Sequence, residues 1–179
     1  SEEEEIERRL RDNIRKAEEN TRRNKEKIDR ILEEMRENSK ENKRRIEEIL
    51  DELRKLKEEG NLTEEEAKRV REELERNKRR NDEKLERKRK DIDDNERRNR
   101  EKEEKSRRDH EEETKELEKR GVRTERVDEL KEKVERDHER LRKENEDLLR
   151  ELRKRLDELR RENEKLLREL EEALDRIRK

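Results

Sequence analysis

Two short stretches, GNLT at 60–63 and GVRT at 121–124, are the places where this sequence gives a helix a reason to stop. They hold its only two glycines, and the chain has no proline. Glycine accepts the left-handed conformation that follows a helix end, and a threonine three residues later can cap the next helix by accepting from its free N–H groups. Thr63 also heads the T-E-E-E pattern of a capping box with Glu66. The sequence therefore predicts helices over about 2–59, 63–119 and 125–178, joined by turns at 60–62 and 121–123. At 1.5 Å per residue each would run for roughly 85 Å.

Composition agrees with long helices once disorder is weighed against it. Charged residues make up 67% of the chain and apolar ones 20%, a balance that would ordinarily point to an unfolded chain. The 59 basic and 61 acidic residues are interleaved, however, and most of the chain is Glu, Lys, Arg and Leu, all strong helix formers, which is the signature of a coiled coil or long-helix bundle. The acidic opening SEEEE places carboxylates at the positive end of the first helix. With no cysteine there is no disulfide or thiol chemistry. No apolar run approaches the roughly 20 residues that cross a bilayer, so a soluble protein and no membrane partner are expected.

Apolar residues recur in threes and fours along the first helix (Ile6, Leu10, Ile14, Ala17, Ile28, Ile31, Met35, Ile46, Ile49, Leu53, Leu56) and the third (Val127, Leu130, Val134, Leu141, Leu148, Leu152, Leu159, Leu166, Leu170, Leu174, Ile177), one buried stripe in each. The second helix is the most polar, with Ala67, Val70, Leu74, Leu85, Ile92 and Leu117 as its main apolar members. The stripes repeat: residues 141–158 match 159–176, and 24–41 match 42–59, each pair offset by 18 residues. Eighteen residues are about five turns of 3.6, so the seam runs straight along a helix with little supercoil.

Asparagines interrupt the stripes at matching places. Folded up, down and up on its two turns, the chain sets Asn24 level with Asn99 and Asn145, and Asn42 level with Asn81 and Asn163. The same register groups Ile31, Ile92 and Leu152, then Ile49, Leu74 and Leu170, then Leu53, Val70 and Leu174, then Leu56, Ala67 and Ile177. Buried amides are costly unless they satisfy one another, and three of them from three helices can do so. With the neighbours Asn20 and Asn95 in one layer, and Asn38 and Asn77 in the other, each layer becomes a possible five-amide network that trades stability for register. A slip by 18 residues is the competing arrangement, which the ends and turns would penalise.

The remaining polar motifs point to structure. His110 opens H-E-E-E-T, which lacks the second histidine of a zinc-protease helix, and two histidines without cysteine make a poor metal shell. The register sets His138 level with Ser106 and Ala17, and His110 level with Ile14 and Val134. A third polar core layer, satisfied by Ser106 and Thr114, is the expectation, with pH sensitivity as a secondary reading. The basic stretch from Arg76 to Lys90 has no aromatics to stack on bases and no recognition-helix pattern, so no nucleic-acid partner is expected. Lys88, level with Met35 and Leu156, should bury its stem and send its ammonium outward. Nothing in the sequence supplies a phosphate loop, a catalytic triad or a cofactor or metal site, and the chain reads as no enzyme.

Taken together, the repeats, Gly-x-x-Thr turns, Asn layers and missing aromatics resemble those of de novo designed, parametrically generated three-helix bundles with buried hydrogen-bond networks. That resemblance implies an all-α, elongated antiparallel up-down-up bundle over 1–179, with no natural biochemical function, no required partner and a monomeric state. The alternative is a designed interaction module, a helix-swapped homodimer or assembly component, for which Leu32, Leu50, Leu149 and Leu167 would have to form an outward apolar patch.

Overall fold

A computed structural model describes residues 1–122 and 124–178, apart from the side chains of 177 and 178. The described residues form an all-helical three-helix bundle: α1 (Glu2–Glu58), α2 (Glu64–Arg120) and α3 (Glu125–Arg178). They gather into two compact units, each taking a segment from all three helices: a first unit of Ser1–Arg30 with Ile92–Glu151, and a second of Ile31–Asp91 with Leu152–Lys179.

Both helix ends stop as the glycines predict. Gly60 and Gly121 have φ of 71° and 69°. The Asn61 and Val122 N–H groups reach back to the carbonyls of Leu56 and Leu117, at 2.9 and 3.3 Å. The glycine N–H groups bond Lys57 and Glu118 in turn, which completes the double closure characteristic of a helix ending in glycine. Thr63 Oγ1 then accepts from the Glu66 N–H at 3.2 Å, and Thr124 Oγ1 from the Val127 N–H at 3.3 Å. The expected capping box at Thr63 is half made, because the Glu66 carboxylate turns to Arg69 at 2.8 Å. A charge-assisted bond to guanidinium outcompetes a neutral N–H. Arg123, in the second turn, lies outside the described residues.

In the second unit, Ile46, Ile49, Leu53, Ala67, Val70, Leu74, Leu170 and Leu174 form one apolar cluster, flanked by Leu50, Leu56, Leu62 and Leu166. These include the predicted layers of Ile49, Leu53 and Leu56, except that Ile177 lies outside the described side chains. Lys88 behaves as its register requires: its side chain is 14% exposed, and its ammonium reaches Glu34 of α1 and Asp91 one turn on. In the first unit Ile6, Leu10, Leu117, Val127 and Val134 cluster, with Ile14, Val122 and Leu130 against them. Residue pairs in both units run antiparallel between α1 and α2 (Asn13 with Ser106, Glu52 with Arg69) and in parallel between α1 and α3 (Glu3 with Thr124, Asn42 with Asn163).

Ion pairs three or four residues apart cover the outer faces, as in Arg142 with Glu139 and Glu146 or Arg45 with Glu41. Each contributes only about 0.3–0.5 kcal/mol. Hydrocarbon burial and the buried amides therefore decide the packing. We expect Leu53→Ala and Leu10→Ala each to cost about 2–5 kcal/mol in urea denaturation, since both side chains are almost wholly buried. Gly60→Ala should cost about 1–2 kcal/mol through its backbone alone, because the space that a Cβ would enter is open.

Candidate functional site

The buried polar groups form one hydrogen-bonded triad in each unit. In the first, Asn24 Nδ2 donates to Asn145 Oδ1 at 3.1 Å, and Asn95 Nδ2 donates to Asn24 Oδ1 at 2.8 Å. In the second, Asn42 Nδ2 donates to Asn163 Oδ1 at 3.0 Å, and Asn77 Nδ2 donates to Asn42 Oδ1 at 2.9 Å. The α1 amide is the hub each time, using its oxygen toward α2 and its nitrogen toward α3. Asn24, Asn42, Asn77, Asn81, Asn145 and Asn163 are buried; Asn20, Asn38, Asn95 and Asn99 are half-buried.

The α2 partner lies one helical turn from the expected one. Asn95 bonds Asn24 where Asn99 was anticipated, and Asn77 bonds Asn42 where Asn81 was. The backbone register is the expected one, since Lys88 meets Glu34 and Ile49, Leu74 and Leu170 share one cluster; what differs is which of two α2 amides one turn apart reaches the hub. Asn99 donates instead to Glu103 Oε1 at 3.1 Å within its own helix.

Glu103 makes the two triads unequal. Its Oε1 also accepts from Asn145 Nδ2 at 2.7 Å, drawing a carboxylate into the first triad. Burial raises the Glu103 carboxyl above the ordinary carboxylate range, while the bonds from Asn145 and Asn99 oppose that shift. Eighteen residues earlier in α2 stands Leu85, which lines a groove with Asn163 in the second unit. Beside Glu103, an open recess of about 240 Å³ is lined by Asn95, Asn99 and Asn145 and edged by Arg100, Arg107 and Arg142.

The histidine layer differs from its expected form. His138 Nε2 lies 2.7 Å from Asn13 Oδ1, and Asn13 Nδ2 donates to the Ser106 backbone carbonyl at 3.1 Å. Because the Asn13 nitrogen is the donor there, its oxygen accepts and His138 carries its proton on Nε2. Ser106 thus enters through its carbonyl, not its hydroxyl. Thr114 does not satisfy the layer: its Oγ1, Glu113 Oε2 and both His110 ring nitrogens are buried without hydrogen-bond partners. Glu135 Oε1 stands 3.5 Å from His110 Nε2, outside hydrogen-bonding geometry. The two imidazoles face each other with centroids 5.8 Å apart and planes tilted by 53°.

Burial lowers the pKa of His110 from its ordinary 6.5, against an opposing pull from Glu135; burial and the neighbouring His110 lower that of His138. A lowered value means that the folded chain binds fewer protons than the unfolded one. Stability is therefore whole above about pH 6.5 and falls as pH drops through the lowered values. Glu103 and Glu113, raised chiefly by burial, act oppositely: their contribution is lost as pH rises through their raised values.

Asn13 and Glu103 are the site members that the sequence reading missed. Asn13 lies one residue before the apolar stripe position Ile14, and Glu103 is one of 61 acidic residues, so neither stands out by type or spacing. Among the described residues no group of three or more histidine, cysteine or acidic side chains converges on a metal position, and no helix is long and apolar enough to cross a membrane. The basic stretch meets acids: Lys84 reaches Glu41, Lys88 reaches Glu34, and Arg89 pairs with Glu86. No large hydrophobic residue is exposed among the described residues, and Leu32, Leu50, Leu149 and Leu167 are half-buried.

The sequence matches no protein family, no curated protein and no solved structure.

We expect Asn42→Leu to cost about 1–3 kcal/mol in chemical denaturation, because it strands the Asn77 donor and the Asn163 acceptor in the core. Asn99→Leu should cost distinctly less, since it breaks a single bond at a half-buried position.

Proposed function

We infer that the chain is a de novo designed structural scaffold with no natural biochemical function, whose buried amides specify which helix segments meet. The observation that carries this reading is the repeated triad: Asn24 with Asn95 and Asn145, and Asn42 with Asn77 and Asn163, each joining all three helices by two matched bonds. The 18-residue sequence repeat, the two closed glycine turns and the lack of a matching natural family are consistent with it. On this reading the protein is not an enzyme, requires no partner and is a monomer in solution.

Replacing Asn42, Asn77 and Asn163 together by leucine tests the role of the triad. Exchanging a satisfied polar cluster for hydrocarbon should raise stability, by about 1–4 kcal/mol, while relaxing the choice of register. Denaturation should show the gain, and NMR spectra should show added or broadened resonances. A triple variant that is less stable than the parent, with equally sharp single resonances, would contradict the specifying role. Light scattering should give the 22.6 kDa of one chain at every concentration; twice that mass would mean that helices are exchanged between chains.

A further inference from the structure

The least satisfied part of the described core surrounds residue 110. His110 is 5% exposed, with no hydrogen-bond partner for either ring nitrogen. Glu113 Oε2 and Thr114 Oγ1, on the same face of α2 one turn away, are equally unpartnered. α3 sets the second imidazole, His138, 5.8 Å from the first. The charged groups around the pair are Lys131, Glu135 and Asp137 from α3; Arg107, Asp109, Glu111 and Glu113 from α2; and Arg9, Asp12 and Lys16 from α1, the last three facing Glu113. Glu135, the carboxylate that approaches His110, has a side chain that is 55% exposed, so its attraction is screened by water.

Both histidines of the chain belong to the first unit, and the second unit has none. We propose that the His110–His138 pair is an acid-operated release built into the first unit: a proton added to His110 creates a buried imidazolium whose approaching carboxylate, Glu135 at 3.5 Å, is itself largely in water, facing a second ring that can also charge, and the packing around it opens while the second unit keeps its own. His110 is the sensitive member, because Asn13 Oδ1 can accept from His138 Nε2 whether that ring is neutral or charged. The lowered pKa of both imidazoles agrees with this order of events, and the raised carboxyl of Glu113 opposes it, since protonating Glu113 favours the folded unit.

Hydrogen–deuterium exchange of the full chain, read by mass spectrometry at pH 7.5 and 5.5 and corrected for intrinsic exchange, tests the proposal with the second unit as internal reference. Protection in the first unit should fall on the order of tenfold relative to the second, and the double substitution His110→Leu, His138→Gln should abolish that difference. Should the variant fail to fold, the parent still decides: ring NMR must show His110 titrating below the ordinary histidine value. Equal loss of protection in both units, persistence of the first-unit loss in a folded variant, or an ordinary His110 titration would each overturn the proposal.

Discussion

The cost of burying an amide without partners is the constraint on which the packing of both units depends. An apolar seam alone tolerates sliding, because one leucine fits nearly as well as another into a gap one turn away. An asparagine in the same seam cannot slide: its oxygen and nitrogen must each find a partner or lose hydrogen bonds to water that nothing replaces. Asn24 and Asn42 resolve this by facing acceptor-first toward α2 and donor-first toward α3. Each hub thereby fixes two interhelical registers with one side chain.

The two layers would permit a slip by 18 residues if they were interchangeable, and Glu103 is what makes them differ. Asn145 donates to this carboxylate, whereas the corresponding α2 position in the second unit is Leu85. A slip in one direction would set Asn145 against the hydrocarbon of Leu85 in place of its acceptor, and a slip in the other would set Asn163 against the Glu103 carboxylate. The raised carboxyl of Glu103 shows that this distinction carries an electrostatic cost at neutral pH, offset in part by the two amides that donate to it.

Features set by local chemistry were legible in the sequence: the helix ends at Gly60 and Gly121, the caps at Thr63 and Thr124, the apolar stripes, and the Asn positions that had to be core. What was not legible depends on geometry finer than one turn. Counting from the middle of the first turn puts Asn99 opposite Asn24, yet Asn95, one turn along the same helix, is the residue whose amide reaches it. Asn13 and Glu103 were hidden for another reason, because residue type says nothing about burial in a chain this rich in polar side chains. The half-made capping box at Thr63 belongs with them, decided by the nearby guanidinium of Arg69.

Through-space NMR on the asparagine-labelled protein, reading contacts between side-chain amides, tests the two triads most directly. Contacts are expected from Asn24 to Asn95 and Asn145, and from Asn42 to Asn77 and Asn163, with side-chain protons slow to exchange with water. Contacts from Asn24 to Asn163, or amides that exchange freely and touch no other helix, would contradict the triads.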